Sequence, residues 1–447
     1  MFTLVVPVQA ELPTLLGASR EDTAWVVTAT LLAAAIFTPI AGRLGDMYGK
    51  RRIVLLLLAL LVVGSVIAAV STSLFGVVIG RTLQGAVAGV VPLGIAILRD
   101  VLPTGRLPSA VALVSATVGV GAALGLAVGA LVTAHADWHV LFWLTAGLGV
   151  ACFGLVLWIV PVSVLRSPGG FDIAGAIGLA LGLTGILVAI SRGDQWGWLS
   201  PATVGLGLGG LVTLLVWGWY ELRIPEPLLD LRVAGRRPVL LTNLASIGIG
   251  FALFSSNIIF PQILELPIQS GAGFGLSRFA ASLIVMPAGL VMIVVAPLSG
   301  RLSRVMGPRI LLIMGAITLM TAYGFVLVAG NEVWHILASN LLIGIGIGFA
   351  FAAMPLLIMQ SVPQSETGAS NGLNALFRSL GTTAAAAVMG AVLAASSTVE
   401  GGAQIPTAAG FQLTYLLAGG GAALALALAL LIPVHQPLGE NHLALPR

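Results

Sequence analysis

Apolar residues run in stretches of roughly twenty along nearly the whole chain, with polar positions gathered into short gaps between them. A hydrocarbon core about 30 Å thick takes about twenty helical residues to cross. The pattern predicts thirteen complete spans, over residues 24–41, 53–72, 74–98, 109–134, 140–162, 173–191, 199–219, 239–264, 279–300, 310–330, 334–359, 374–396 and 411–433. Unbroken apolar runs exclude the alternating pattern of a barrel strand, and only helices or closed barrels satisfy the backbone in lipid. The expected fold class is therefore an all-α polytopic membrane protein. The gaps are short and rich in Gly, Pro, Arg and Asp, so no separate soluble domain is expected.

Composition agrees. The 447 residues are 58% hydrophobic and 8% charged, whereas soluble domains carry roughly 25% charged residues. The net charge of +4 sits in the gaps between spans, so it implies no nucleic-acid partner. Cys152 is the sole cysteine and lies inside an apolar run, which excludes an intrachain disulfide. Lys50 is the only lysine; with Ala, Gly, Leu and Val dominant, that bias fits a bacterium with GC-rich coding.

Basic residues set the expected orientation. One set of loops holds Arg43, Lys50, Arg51, Arg52, Arg99, Arg106, Arg166, Arg223, Arg232, Arg236, Arg237, Arg301, Arg304, Arg309 and Arg447; the opposite set holds Arg20, Arg192 and Arg278. Fifteen against three places the first set, and the C-terminus, in the cytoplasm.

One pattern occurs twice. Pro39, Gly42, Arg43, Leu44 and Gly49 recur as Pro297, Gly300, Arg301, Leu302 and Gly307, each shifted by 258 positions (297 − 39 = 258). An offset of that size marks a duplicated membrane half. Shifting the span at 239–264 back by 258 gives −19 to 6, so its counterpart mostly precedes Met1, with apolar Phe2 to Val8 as its tail. The expectation is that a first helix is truncated. Three segments follow: 1–162 as the N-terminal half (helices 1–6, helix 1 partial), 163–238 as two inserted helices with a linker, and 239–447 as the C-terminal half (helices 9–14) with a short tail.

The run Gly42-Arg43-Leu44-Gly45-Asp46-Met47-Tyr48-Gly49-Lys50-Arg51-Arg52 resembles the signature loop of the major facilitator superfamily. The six-two-six layout is similar to its fourteen-helix drug:proton antiporter branch (QacA/EmrB type). Arg81-x-x-Gln84-Gly85 matches that family's Arg-x-x-Gln-Gly motif. Trp25-Val-Val-Thr28 and Gly193-Asp-Gln-Trp196-Gly-Trp198 are similar to two further segments of it. The resemblance spans essentially the whole chain. It implies two six-helix halves, with two inserted helices and the first helix truncated, that alternate access to a central cavity. It also implies export of small hydrophobic compounds through the bacterial cytoplasmic membrane, driven by a proton gradient. No cofactor, metal or obligate protein partner is implied, and no catalytic residue.

Residue chemistry supplies candidates beside that resemblance. Gly42, Gly45 and Gly49 permit a tight turn and close helix approach. Asp46 lies among Arg43, Lys50, Arg51 and Arg52, where an ion pair would latch the halves; their bland role is to fix topology. The second copy has Arg304 at the Asp46 position (46 + 258 = 304), so the acid is not duplicated. Arg81 lies about seven residues into its span, and an Arg at membrane depth is by default a functional candidate. The resemblance assigns it, with Gln84 and Gly85, to coupling near the cavity; the alternatives are snorkelling or bonding to backbone carbonyls. For Arg378, near the start of the span at 374–396, simple anchoring is favoured.

Gly121, Gly125 and Gly129, four apart, form a small-residue face for helix packing. The corresponding family motif has a Pro after a Gly, whereas Leu126 follows Gly125 here. Candidate cavity residues are Asn243, Asn257, Gln262 and Met354, with Asn340, Asn374 and Met286 beside them; flexible Met suits varied apolar ligands. A proton-coupled exporter needs a carboxylate that titrates inside the membrane. All 16 Asp and Glu fall at span ends or in loops. The carrier is then upstream, or an end-of-helix acid such as Glu265 or Asp100, or coupling is absent. The lack of membrane acids also argues against strongly cationic substrates. The chain lacks His-Glu-x-x-His, Gly-x-Ser-x-Gly and a Gly-x₄-Gly-Lys-Ser/Thr loop, so the signals of an intramembrane enzyme or a nucleotide-driven pump are missing. A passive facilitator of the same fold is the main competitor, and a receptor-like member the lesser one.

Overall fold

In the computed structural model, residues 4–5, 8–9, 11–162, 169–400 and 403–433 are described. Arg166, Arg447 and most of the expected helix tail (Phe2, Thr3, Val6 and Pro7) lie outside them. Among the described residues, thirteen helices are long and apolar enough to cross a membrane. Counting these spans alone, they are α1 (Trp25–Tyr48), α2 (Lys50–Val70), α3 (Leu74–Val101), α4 (Leu107–His135), α5 (His139–Ile159), α6 (Ile173–Trp196), α7 (Pro201–Glu221), α8 (Arg237–Glu265), α9 (Arg278–Met306), α10 (Pro308–Ala329), α11 (Val333–Met359), α12 (Thr367–Ala395) and α13 (Ala408–Leu431). A two-stranded hairpin, β1 (Ser397–Glu400) and β2 (Ala403–Pro406), links the last two, with Ser397 opposite Pro406.

Each predicted span has its helix, yet three boundaries moved for one reason. The helices α1 and α9 run past the expected ends, residues 41 and 300, to Tyr48 and Met306. The repeated motif is thus not a loop but two further helical turns, which polar residues hide from hydropathy. Only Gly49 (φ 107°) and Gly307 (φ 84°) interrupt the chain, at the joints with α2 and α10. Both φ values lie where a Cβ is strongly disfavoured. Gly49→Ala is therefore expected to destabilise the fold by about 1–3 kcal/mol, read as a lower melting temperature of the detergent-purified protein. Similarly, α12 begins at Thr367 rather than 374 because its polar first turns are buried against other helices.

Two seams join the two halves. One pairs α1 with α12 and the other pairs α4 with α9. In the first, the Cβ of any residue replacing Gly42 would lie 2.4 Å from the Gly368 carbonyl oxygen. In the second, a Cβ at Gly300 would lie 2.5 Å from the Ser109 Cα. The two copies of the motif therefore make equivalent backbone approaches on the two seams. Helix α11 is the most enclosed, with every residue from Gly346 to Met359 buried. It anchors the largest core cluster, formed with α8, α9, α10 and α13. The inserted pair α6–α7 attaches through α6: Leu179, Leu183 and Leu187 pack with Ala35, Leu373 and Leu376 at the α1–α12 seam.

Candidate functional site

The Arg-rich end of the helix bundle is closed by a polar latch. Asp46, 1% exposed, accepts the N–H groups of Gly368 (3.1 Å) and Ala369 (2.8 Å). These sit in the first turn of α12, where helical N–H groups lack intrahelical acceptors and the helix dipole favours an anion. Lys50, equally buried, bonds Asp100 at 2.6 Å and stands 3.9 Å from Asp46. Arg99 reaches across to Thr367 Oγ1 (2.6 Å) and to the carbonyls of Met359 (2.6 Å) and Val362 (3.1 Å), so it caps α11 and clasps the start of α12. Gln364 donates back to the Arg99 carbonyl, and Arg304 to that of Gly105.

This differs from the expected ring of basic partners round Asp46. Arg51 instead donates to the Leu157 carbonyl, and Arg43 lines a surface cavity of ≈ 280 Å³ with Glu226, Asp230 and Glu366. Among the described basic residues only Lys50 comes within 4 Å of the carboxylate. Arg99, which the sequence showed only as one loop charge among fifteen, ties the end of α3 to α11 and α12. Its one advance signal was the adjacent opposite charge, Asp100.

Arg81 is 1% exposed and lies between α1, α2 and α3. Its Nε donates to the Val26 carbonyl (3.2 Å) and its Nη1 to Gln84 Oε1 (2.8 Å). Gln84 passes the chain on to Ser65 at 2.7 Å. A Cβ at Gly85 would lie 2.5 Å from the Thr30 carbonyl oxygen. The motif thus locks three helices together, and none of the three residues lines a described cavity. The family resemblance had placed them near the cavity, and sequence records a residue's depth in a span but not its rotation about the helix axis.

The space between the halves lies on the far side of the latch. A cavity of ≈ 110 Å³ is enclosed by α4, α8, α9 and α11, with Leu126, Asn257, Met286, Met292, Asn340 and Phe351 in its wall. A second, of ≈ 180 Å³, lies between α1, α6, α8 and α12, lined by Ser191, Gln195, Thr382 and Thr383. Towards the Arg-rich end the interior narrows to ≈ 20 Å³ around Pro92, Ser115, Asn374 and Arg378.

Of the expected cavity residues, Asn257 faces the central cavity. Asn243 is buried and accepts from Asn374 Nδ2 at 3.0 Å, a bond between α8 and α12. Gln262 is exposed and Met354 fully buried, and neither lines a described cavity. Asn340 is in the wall, with its amide tied to the carbonyl of Val285 at 2.8 Å. Ser256, Ser282 and Met292 were missed.

The glycine stripe on α4 also needs correcting. Gly121 is exposed, and a Cβ there would meet nothing within 4 Å. The close approach runs through Gly119, whose carbonyl oxygen would lie 2.5 Å from a Cβ on Gly289 of α9. Spacing by four advances about 400° round a helix, a drift of about 40° per step. A stripe at 121, 125 and 129 therefore leaves one face, and Gly125 and Gly129 are the buried members. Trp25 and Thr28 meet the end of α6, with Trp25 under the Arg192 guanidinium (4.6 Å) and Thr28 3.3 Å from Ser191.

Two bundled halves with a polar latch at one end and cavities beyond it define a polytopic helical membrane protein. The chain belongs to the Major Facilitator Superfamily, whose model matches residues 1–386. It is 27% identical over 396 residues to an uncharacterized MFS-type transporter (Rv1877) of Mycobacterium tuberculosis, covering 87% of this chain and 56% of the relative. This chain thus spans about half the length of that protein. It is 26% identical to the tetracenomycin C resistance and export protein of Streptomyces glaucescens, over 85% of this chain and 70% of the relative. The multidrug resistance protein Stp of Mycobacterium tuberculosis is also 26% identical, over 84% and 70% respectively. The human organic anion transporter MFSD10 (TETRAN) superposes with a TM-score of 0.65 at 16% identity, covering 96% of this chain and 95% of that one. That likeness bears on the fold alone.

Proposed function

We propose that this chain is a secondary-active exporter of small hydrophobic, drug-like compounds, working by alternating access in the bacterial cytoplasmic membrane. The observation that carries the reading is the latch of Asp46 and Arg99 closing one end of the bundle while apolar cavities lie beyond it. The basic end is read as cytoplasmic from the Arg and Lys asymmetry, so the structure corresponds to the state that releases cargo outward. Residues 1–162 and 239–447 are the rocking halves, and 163–238 carries the inserted pair on the α1–α12 seam. The resistance and export named for two of the relatives support the same direction and substrate class.

Proton antiport is the proposed energy source, with Asp100 and Glu265 as the acids at helix ends. Asp100 is held by Lys50, and Glu265 stands 3.8 Å from Arg278. One observation favours a passive facilitator instead: among the described residues no carboxylate lines the cavities between the halves. Proteoliposomes with an internal pH-sensitive dye separate the two. Antiport moves protons when substrate is added, whereas downhill substrate movement without proton flux would establish the facilitator.

A further inference from the structure

Arg378 is the interior charge that the transport reading leaves without a task. It stands eleven residues into α12 (378 − 367 = 11), about 16 Å along the helix at 1.5 Å per residue. Sequence placed it at the membrane surface because the expected span began seven residues too late. Its side chain reaches the narrow part of the space between the halves, beside Ser115, Asn371 and Asn374. Its guanidinium stacks over the Phe351 ring at 4.6 Å. Phe351 also walls the central cavity, so the two spaces meet at this ring and at Val118. Among the described residues Arg378 has no ion-pair or hydrogen-bond partner, and its guanidinium faces the Phe351 ring. Arg81, by contrast, is bonded to Val26 and Gln84 away from every described cavity. A cation held inside a membrane normally finds an acid or a carbonyl. An aromatic face alone offsets only part of the desolvation.

We propose that Arg378 is the counter-charge for an anionic group on an otherwise apolar substrate. The apolar body would occupy the central cavity against Leu126, Met286 and Met292, and its carboxylate or sulfonate would point past Phe351 to the guanidinium. Bidentate geometry suits such a group. The neighbouring amide of Asn374 donates to Asn243, and Ser115 supplies a hydroxyl at the same level. This deepens the export reading and rests on it for the direction of movement.

The test uses probes that share one naphthyl body and carry a negative, neutral or positive polar group: 2-naphthoate, 2-naphthylmethanol and 2-naphthylmethylammonium. Binding is measured by calorimetry on the purified full chain in lipid nanodiscs, with empty nanodiscs as the blank. Wild type should bind naphthoate about tenfold more tightly than the alcohol, and Arg378→Gln should remove that preference while leaving the alcohol unchanged. Arg378→Lys should restore part of it, because the charge returns without the planar fork. Equal binding of all three probes by wild type, or equal loss of all three in R378Q, would overturn the proposal. Flux in proteoliposomes is scored separately. Charge-selective binding without transport would sink the exporter reading and leave this site standing.

Discussion

Asp46→Asn should unlatch the Arg-rich end. The variant keeps the size of the side chain but loses the charge that faces two N–H groups of α12 and stands 3.9 Å from Lys50. Hydrogen bonds to a charged group contribute about 1.5–3 kcal/mol, which is roughly 10- to 100-fold in a conformational equilibrium. Lys50 would still hold Asp100 at 2.6 Å, so the effect should fall on the α1–α12 contact and not on the fold. Ser115 is a suitable reporter, being 4% exposed and lining the ≈ 20 Å³ space that must widen when this end opens. In a Cys152→Ser background, Ser115→Cys should react with a membrane-impermeant maleimide roughly 10- to 100-fold faster when Asp46 is Asn, measured from the Arg-rich face of everted vesicles. An unchanged labelling rate would mean that the latch contributes nothing to closure. Asp46→Glu retains the charge on a longer stem and should lie between the two.

The latch also shows where sequence reading stops. Thirteen spans were legible because bilayer thickness imposes one length on every helix, and hydropathy records that length directly. The duplication was legible too, since Gly42 and Gly300 keep the same offset that their matching backbone approaches require. What Asp46 touches was not legible. Its partners are backbone N–H groups at the start of α12, and a backbone donor has no residue-type signature. Four basic residues within the motif drew attention to charge pairing, yet Arg51 turns to the Leu157 carbonyl and Arg43 lines a surface cavity. Arg378 was misplaced for a related reason. The polar run from Thr367 to Asn374 reads as loop, although its burial against α1 and α3 makes it helix and carries Arg378 inward. Rotation about the helix axis was the third blind spot, and it turned Arg81 and Gln84 away from the cavity near which the resemblance had placed them.

Gly289→Val should be the most damaging single substitution at the α4–α9 seam. The new Cβ would lie 2.5 Å from both the Gly119 carbonyl oxygen and the Ala123 Cβ. A backbone oxygen cannot rotate away as a side chain can, so the helices must separate. Lipid supplies no hydrophobic drive to hold two helices together, and close van der Waals contact is what such a seam depends on. Overpacking costs about 1–3 kcal/mol in a well-packed core, and the cavity wall formed by Met286 and Met292 would move with α9. The detergent-purified variant should melt at a clearly lower temperature and lose transport. Gly121→Val is the control, since a Cβ there meets nothing within 4 Å, and its stability should stay within about 0.5 kcal/mol of wild type. Fluorescence-detected size-exclusion melting curves of both variants decide the matter. If Gly121→Val proved the more harmful, the contact face of α4 would be the regularly spaced stripe after all, and Gly119 would be a bystander.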